Sequence, residues 1–156
     1  MNMITDAFDN KSKPIFEPKD FYGNKENICD VAIATFSQEM YSYVLENFPS
    51  EQVVQINITN FRRNINIINV NGRKIVFYLS KVGSTLSTIN IIEVNHFTGA
   101  TKFIMFGACG TLNVEKTKNK FIIPTYSYRD EGASYHYQKA SDYIKIKNSS
   151  FMQKFF

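Results

Sequence analysis

Apolar positions along this chain come in short runs whose spacing switches between the two periods of regular structure. Asp30–Phe36 is a continuous apolar run (Val-Ala-Ile-Ala-Thr-Phe after Asp30), the pattern of a central strand buried on both faces. Ser37 then stands where a helix N-cap belongs. Met40, Tyr41, Val44, Leu45 and Phe48 recur at helical spacing until Pro49 stops them. Val53–Ile58 alternates as a strand does. Ile65–Val70 and Lys74–Leu79 flank Asn71-Gly72, a pair that closes two-residue hairpins because both residues tolerate positive φ. The spacing predicts a second helix over Ser84–Phe97, with Leu86, Ile89, Ile92 and Val94 turned inward and Gly99 as C-cap. Lys102–Phe106 reads as a buried strand ending in the small-residue turn Gly107-Ala108-Cys109-Gly110, and Phe121–Pro124 is a further apolar run. Residues 1–29 read as an irregular lead-in, because Pro14 and Pro18 break helices; Phe16, Phe21 and Tyr22 would pin it to the body. Strands alternating with helices predict an α/β fold with a mixed central sheet flanked by helices, in a single domain over 1–156.

Composition narrows the partners. A chain of 156 residues, 44% hydrophobic, is long enough to bury a core. The net charge of +4 is carried by scattered lysines, apart from Lys116, Lys118 and Lys120. Without a basic patch interleaved with aromatics, no nucleic-acid partner is expected. Cys29 and Cys109 fit neither a disulfide framework nor a metal-ligand spacing, which points to a reducing cytoplasmic setting with no metal and no organic cofactor. Met1–Asn10 has no apolar core of a signal peptide. No stretch approaches the roughly 20 apolar residues that span a bilayer, so no membrane role is expected.

The densest chemistry lies in Arg129-Asp130-Glu131-Gly132-Ala133-Ser134-Tyr135-His136-Tyr137 and in the earlier turn Phe106-Gly107-Ala108-Cys109-Gly110. A small-residue turn at a strand's carboxyl end is where α/β proteins let a ligand approach the backbone. The two segments resemble the purine nucleoside and uridine phosphorylase family, whose corresponding stretches look like Gly-(Ser/Thr)-Cys-Gly-Gly-Leu and Arg-Asp-Glu-Gly-(Thr/Ala)-Ser-x-His-Tyr. The resemblance extends over Asp30–Tyr137. Asn71-Gly72-Arg73-Lys74-Ile75 is similar to the family's Gly-Arg-Lys-Ile hairpin, Gly83 falls on the last glycine of its ligand loop, and Glu93 on the glutamate of its following helix. The spacing from Gly72 through Gly83, Glu93, Gly107 and Gly110 to Arg129 agrees without gaps.

The resemblance implies a nucleoside-phosphorylase-like fold and cleavage of the N-glycosidic bond of a purine or pyrimidine nucleoside, by phosphate (a pentosyltransferase) or by water. It implies a substrate-binding set of Gly83, Gly107, Ala108, Cys109, Gly110 and Arg129, and a homo-oligomer, since the relatives form dimers built into hexamers. Such a reaction needs the ribose held, the nucleophile placed under the anomeric carbon and the departing base protonated. Phosphate further asks for charge-assisted donors. Here the chain departs from the pattern. Met105 replaces the family's arginine before the turn, Ala108 its serine or threonine, Lys81 the first glycine of the ligand loop and Thr85 its proline; the N-terminal phosphate loop has no match. Methionine donates no hydrogen bond, so water becomes the favoured nucleophile. The relatives also run on for about a hundred residues past the histidine motif, carrying the glutamate that grips the ribose hydroxyls and the aspartate that serves the leaving base. Neither segment occurs here, and the chain stops at Phe155-Phe156, inside an expected helix. The alternative is therefore a truncated, non-catalytic remnant or nucleoside-binding fragment.

Individual side chains leave choices open. His136 is a proton donor or a structural histidine. His96 reads as a surface residue or a partner for a helix C-terminus. Arg129 reaches the ligand region or a neighbouring subunit, or pairs with Asp130 or Glu131. Arg62 or Arg63 corresponds, in a loose register, to the arginine that family dimers lend to a neighbour's phosphate. Cys109 lines the family's pocket but has no evident base to make it a nucleophile.

Overall fold

Ser50–Ile58 (β2), Phe61–Val70 (β3), Arg73–Leu79 (β4), Val31–Thr35 (β1) and Lys102–Phe106 (β5) lie side by side in that order as one mixed sheet. The structure, a computed structural model, describes residues 4–6, 8–58 and 61–146, with only the backbone of residues 57, 58, 61 and 62. The expected helix at Phe155-Phe156 lies outside the described residues. β2, β3 and β4 form an antiparallel meander, while β4, β1 and β5 run parallel. Asn71 and Gly72 both take positive φ, 52° and 78°, and turn β3 into β4 as the Asn-Gly pair requires.

Helices cover both faces. Gln38–Asn47 (α2) starts at Ser37, whose hydroxyl accepts from the Met40 N–H, and Tyr41 stacks on Phe77 with ring centroids 5.7 Å apart. Ser84–Thr98 (α3) lies against the opposite face. Its Val94 joins Ala32, Ala34, Ile65, Ile67, Val76 and Tyr78 in the core. Burying a side chain the size of valine or isoleucine contributes about 1.5–3 kcal/mol relative to exposure, so this layer dominates the stability of the sheet. Gly99 ends α3 in the left-handed conformation, as expected of a C-cap. The α/β class and the flanked mixed sheet are those the sequence implies.

Several local expectations are corrected. Leu86 and Ile89 are exposed, and the inward positions of α3 beside Val94 are the polar Asn90 and Glu93. Apolar spacing alone could not find them, because each is made tolerable inside by a hydrogen-bonding partner. β5 is not a buried strand: among the described residues nothing pairs with its outer edge, and Met105 and Phe106 remain 44% and 43% exposed. Pro18, read as a helix breaker, opens the short helix Pro18–Tyr22 (α1) at its first turn, where a missing N–H costs nothing. The β2 strand begins at Ser50, three residues before the alternation shows it.

The chain falls into two compact units, Lys13–Gly107 and a second made of residues up to Ser12 with those from Ala108 onward. In the second unit Val114–Thr117 (α4) is one helical turn capped by Asn113, and Tyr126–Tyr128 (β6) pairs antiparallel with Tyr143–Lys145 (β7). A single 3-10 turn, Ala133–His136, carries the middle of the polar nonapeptide.

Candidate functional site

The parallel strands of the first unit all point the same way, and at their carboxyl ends stand Thr35-Phe36-Ser37, Ser80-Lys81-Val82-Gly83 and Gly107. From β1 the chain leaves to α2 on one face; from β4 it leaves to α3 on the other. β1 and β4 are neighbours, so the connections part at the crevice between them, a topological switch point of the kind where open α/β sheets take ligands. Both helices present their N-termini at this end of the sheet, and the partial positive charge there favours anionic or electron-rich groups.

The loop after β4 is held firmly. The Ser80 N–H donates to the Thr35 carbonyl at 2.8 Å, tying β4 to β1 beyond the ladder. The hydroxyls of Ser87 and Ser80 both donate to the Lys81 carbonyl, at 2.8 and 3.2 Å, and Asn90 Nδ2 donates to Ser80 Oγ at 3.2 Å. Gly83 adopts φ 104° and ψ 145°, open to glycine but strained for any other residue, which lets the chain turn from strand to helix. Gly107 is glycine for another reason: a Cβ there would lie 3.2 Å from Cδ2 of Phe36, tighter than ordinary contact.

Behind this loop, between α3 and the sheet, sits a buried polar group the sequence did not reveal. Arg63 of β3 is ion-paired with Glu93 of α3, their side chains 11% and 2% exposed. The Tyr22 hydroxyl of α1 donates to the other Glu93 oxygen at 2.8 Å, and its ring lies against His96 and Phe97. Burial, helped by that bond to the carboxylate, pushes the Tyr22 phenol up to about 12. Burial likewise pushes Tyr78 up to about 12, against the opposing charge of Arg63. Among the described residues Arg63 Nε, the Tyr78 hydroxyl, Asn90 Oδ1 and His96 Nε2 are buried without a hydrogen-bond partner. His96 is thus an interior residue in the last turn of α3, which corrects the surface half of its reading as a surface residue or a partner for the helix C-terminus. Arg63 is turned inward and ion-paired with Glu93; the side chain of Arg62 lies outside the described residues.

In the second unit the polar nonapeptide folds around its own arginine. Arg129 is buried, with Nε donating to Ser134 Oγ at 2.8 Å, Nη1 to the Lys139 carbonyl at 2.6 Å and to Ser141 Oγ at 3.3 Å, and Nη2 to the Gln138 carbonyl at 3.2 Å. The guanidinium lies 4.1 Å from the centre of the Tyr135 ring, a cation–π contact. The Glu131 carboxylate accepts from the N–H groups of Ala133 and Ser134 and so fixes the start of the 3-10 turn. His136 is exposed, as are Ala108, Cys109 and Gly110. A Cβ on Gly110 would meet nothing within 4 Å.

Of the residues singled out by the sequence, Gly83 and Gly107 come together at the carboxyl edge of the first unit, two strands apart with β1 between them. Ala108, Cys109, Gly110 and Arg129 belong to the second unit. No group of three or more His, Cys, Asp or Glu side chains among the described residues is arranged to hold a metal ion, and no helix among them is long and apolar enough to cross a membrane.

No protein-family model matches the chain, and neither does any curated protein. Solved structures do. MTAN of Helicobacter pylori superposes with a TM-score of 0.59 at 18% identity over 81% of this chain and 60% of its own. A futalosine hydrolase mutant of Helicobacter pylori gives 0.60 at 17% identity, over 80% and 57%. The 5'-methylthioadenosine/S-adenosyl homocysteine nucleosidase (MTAN) of Campylobacter jejuni gives 0.53 at 17% identity, over 77% and 54%. The chain thus spans between half and three-fifths of the length of these structures. Across that length its fold is the nucleoside phosphorylase/nucleosidase fold.

Proposed function

We propose that the chain carries the nucleoside-binding half of a nucleosidase that cleaves the N-glycosidic bond of a purine or pyrimidine nucleoside with water. One observation carries this reading: on a nucleosidase-like sheet, Gly83 stands at the switch point between β1 and β4, with the N-termini of α2 and α3 at the same end of the sheet, and Gly107 ends the next strand on the other side of β1. Gly83 and Gly107 approach the nucleoside through their backbone in the first unit; for Ala108, Cys109 and Gly110, in the second unit, the ligand-facing role is the one the family resemblance implies. Arg129 contributes by shaping the loop that bears it, since its nitrogens are occupied by carbonyls and hydroxyls. Water is favoured over phosphate because Met105 and Ala108 supply neither charge nor a donor where a phosphate would need both. The cytoplasm is the compartment in keeping with two free cysteines, and a homo-oligomer is the assembly the family resemblance supports.

A chromatographic assay with adenosine, inosine, uridine, 5'-methylthioadenosine and futalosine, each with and without phosphate, tests the reaction. Base release independent of phosphate is expected; release that requires phosphate, or none at all, defeats the hydrolytic reading. A second reading, a non-catalytic nucleoside-binding fragment, is favoured by the 60% coverage of the Helicobacter pylori enzyme. Calorimetric titration separates them: binding heat without base release assigns the chain to this second class.

A further inference from the structure

The hairpin between β3 and β4 turns on Asn71-Gly72, the one place in the sequence where an asparagine precedes a glycine. Asparagine is a chemically labile residue, because the backbone nitrogen that follows it can attack its side-chain carbonyl. The attack needs room. Asn64, Asn66 and Asn90 each precede isoleucine, whose branched Cβ crowds the attacking nitrogen. Several of the other amides are also engaged: Asn66 Nδ2 donates to the Tyr41 hydroxyl, Asn90 Nδ2 to Ser80 Oγ and Asn95 Nδ2 to the Ala100 carbonyl. Asn71 has no such shelter. It is exposed, as is every residue from there to Lys74, and nothing lies within 4 Å of where a Cβ on Gly72 would stand. Arg73 and Lys74 come next in the chain, two cations whose field favours a negative centre beside them. One contact opposes the attack. The Gly72 N–H donates to Asn69 Oδ1 at 2.9 Å, so the nitrogen gives up a hydrogen bond before it can lose its proton.

We propose that Asn71 is a self-modification site, converted in the folded chain to aspartate and isoaspartate by the Gly72 nitrogen, with the Asn69 side chain as its brake. Hydroxide removes the Gly72 amide proton. The nitrogen then bonds to Cγ of Asn71, the Cγ–Nδ2 bond breaks, and Nδ2 leaves as ammonia with a proton from water, which regenerates hydroxide. A second water opens the five-membered imide. Cleavage of its bond from nitrogen to Cγ leaves aspartate. Cleavage of the bond from nitrogen to the Asn71 backbone carbon leaves isoaspartate, whose main chain runs through the side-chain carboxyl. In sum, asparagine and water give an acid and ammonia, and water and hydroxide are the only co-reactants. Each conversion lowers the formal net charge of +4 by one. Isoaspartate also lengthens the main chain of a two-residue turn that suits the twist of its strands as it stands, so the adjoining pair, Val70 with Arg73, is the first to open. None of this depends on nucleoside turnover.

The test stores the whole chain at body temperature in mildly alkaline buffer, folded and in denaturing guanidinium chloride. Peptide mapping by mass spectrometry follows conversion at each asparagine, and electron-transfer fragmentation separates isoaspartate from aspartate. In the folded chain, position 71 should convert ahead of every other asparagine, give both products, and react faster as hydroxide rises. Asn69→Ala should convert about fivefold faster, the factor that one neutral hydrogen bond holds, with β4 amides exchanging as in the wild type. Asn69→Asp keeps an acceptor in place and should convert no faster than the wild type. Asn71→Gly suits the same turn and should show no product there. A folded chain that stays unconverted while the denatured chain reacts to completion overturns the inference. So does a first site other than position 71. An Asn69→Ala rate equal to the wild type, or a faster one in a chain whose β4 amides have lost protection, also overturns it.

Discussion

Replacing Glu93 by alanine strips Arg63 of its countercharge at a place where the arginine cannot escape to water. The two side chains are 11% and 2% exposed, and Arg63 Nε has no other partner among the described residues. Removing one member of a buried ion pair costs about 3–5 kcal/mol, because the survivor is left charged in a poorly polarisable surrounding. The Tyr22 hydroxyl loses its acceptor in the same step, and a hydrogen bond to a charged group is worth about 1.5–3 kcal/mol. These effects overlap and do not simply add, so a loss of about 4 kcal/mol is expected. That is a large share of the 5–15 kcal/mol by which domains are typically stable. Urea melts followed by far-ultraviolet circular dichroism read it as a lowered midpoint at constant slope. The decisive comparison is Arg63→Met with Glu93→Leu: exchanging the whole pair for apolar groups of similar volume removes the desolvation cost of both charges. The double variant should recover most of what Glu93→Ala loses, with the unpaired Tyr22 hydroxyl as the residue of the damage. A Glu93→Ala loss under about 1 kcal/mol, or a double variant no more stable than the single one, refutes the reasoning.

Tyr78→Phe removes a buried hydroxyl with no partner among the described residues, and should raise stability by about 1 kcal/mol at neutral pH, read by the same melts. The wild-type chain should also lose stability as pH rises from about 10 to about 12, because tyrosines of the unfolded chain release their protons near 10 while folded Tyr78 and Tyr22 hold theirs to about 12; Tyr78→Phe should flatten that decline. Arg129→Lys keeps the charge but cannot reach Ser134, Lys139, Ser141 and Gln138 at once, so exchange of amides across residues 129–142 should speed by about tenfold or more while β1 and β4 stay protected. Gly110→Ala should leave the melt unchanged and weaken nucleoside binding in calorimetry by about tenfold; unchanged binding removes Gly110 from the substrate wall.

Much of the sheet was legible because its signals are local. Ser37 caps α2, Asn71-Gly72 closes the hairpin and Gly99 stops α3, each through a backbone conformation or a hydrogen bond that the residue itself dictates. What escaped depends on distant partners. Glu93 could be placed only by its position on the family's helix and His96 only near a helix end, since nothing nearby in sequence announces Arg63 thirty residues earlier or Tyr22 in a proline-bearing segment. β5 has the composition of an interior strand, and only the strand order shows that it is an edge. β6 and β7 are three residues each, too short for alternation to show, and are held by one cross-strand tyrosine pair, Tyr128 and Tyr143, with rings 5.2 Å apart. In the site, the turn at Gly107 and the loop at Gly83 could be named from sequence, but their standing at the same carboxyl end of the sheet required the topology.

The glycines on which the functional reading leans are not equivalent evidence. Gly83 is required by its own backbone, since φ of 104° strains every other residue whether or not a ligand visits. Gly107 is favoured by Phe36, since a Cβ there would lie 3.2 Å from the Cδ2 of its ring and the ring would have to give by a few tenths of an ångström. Each has a structural reason to be glycine apart from any substrate, so a substitution at either can perturb the fold together with any site. Gly110 has neither reason: its φ is ordinary and a Cβ would enter open space. A glycine that neither conformation nor packing demands owes its place to chain entropy, which argues against it, or to something that approaches its backbone from outside. Position 110 is therefore where ligand binding can be tested without disturbing the folded chain, and where the case for a nucleoside wall is most exposed to refutation.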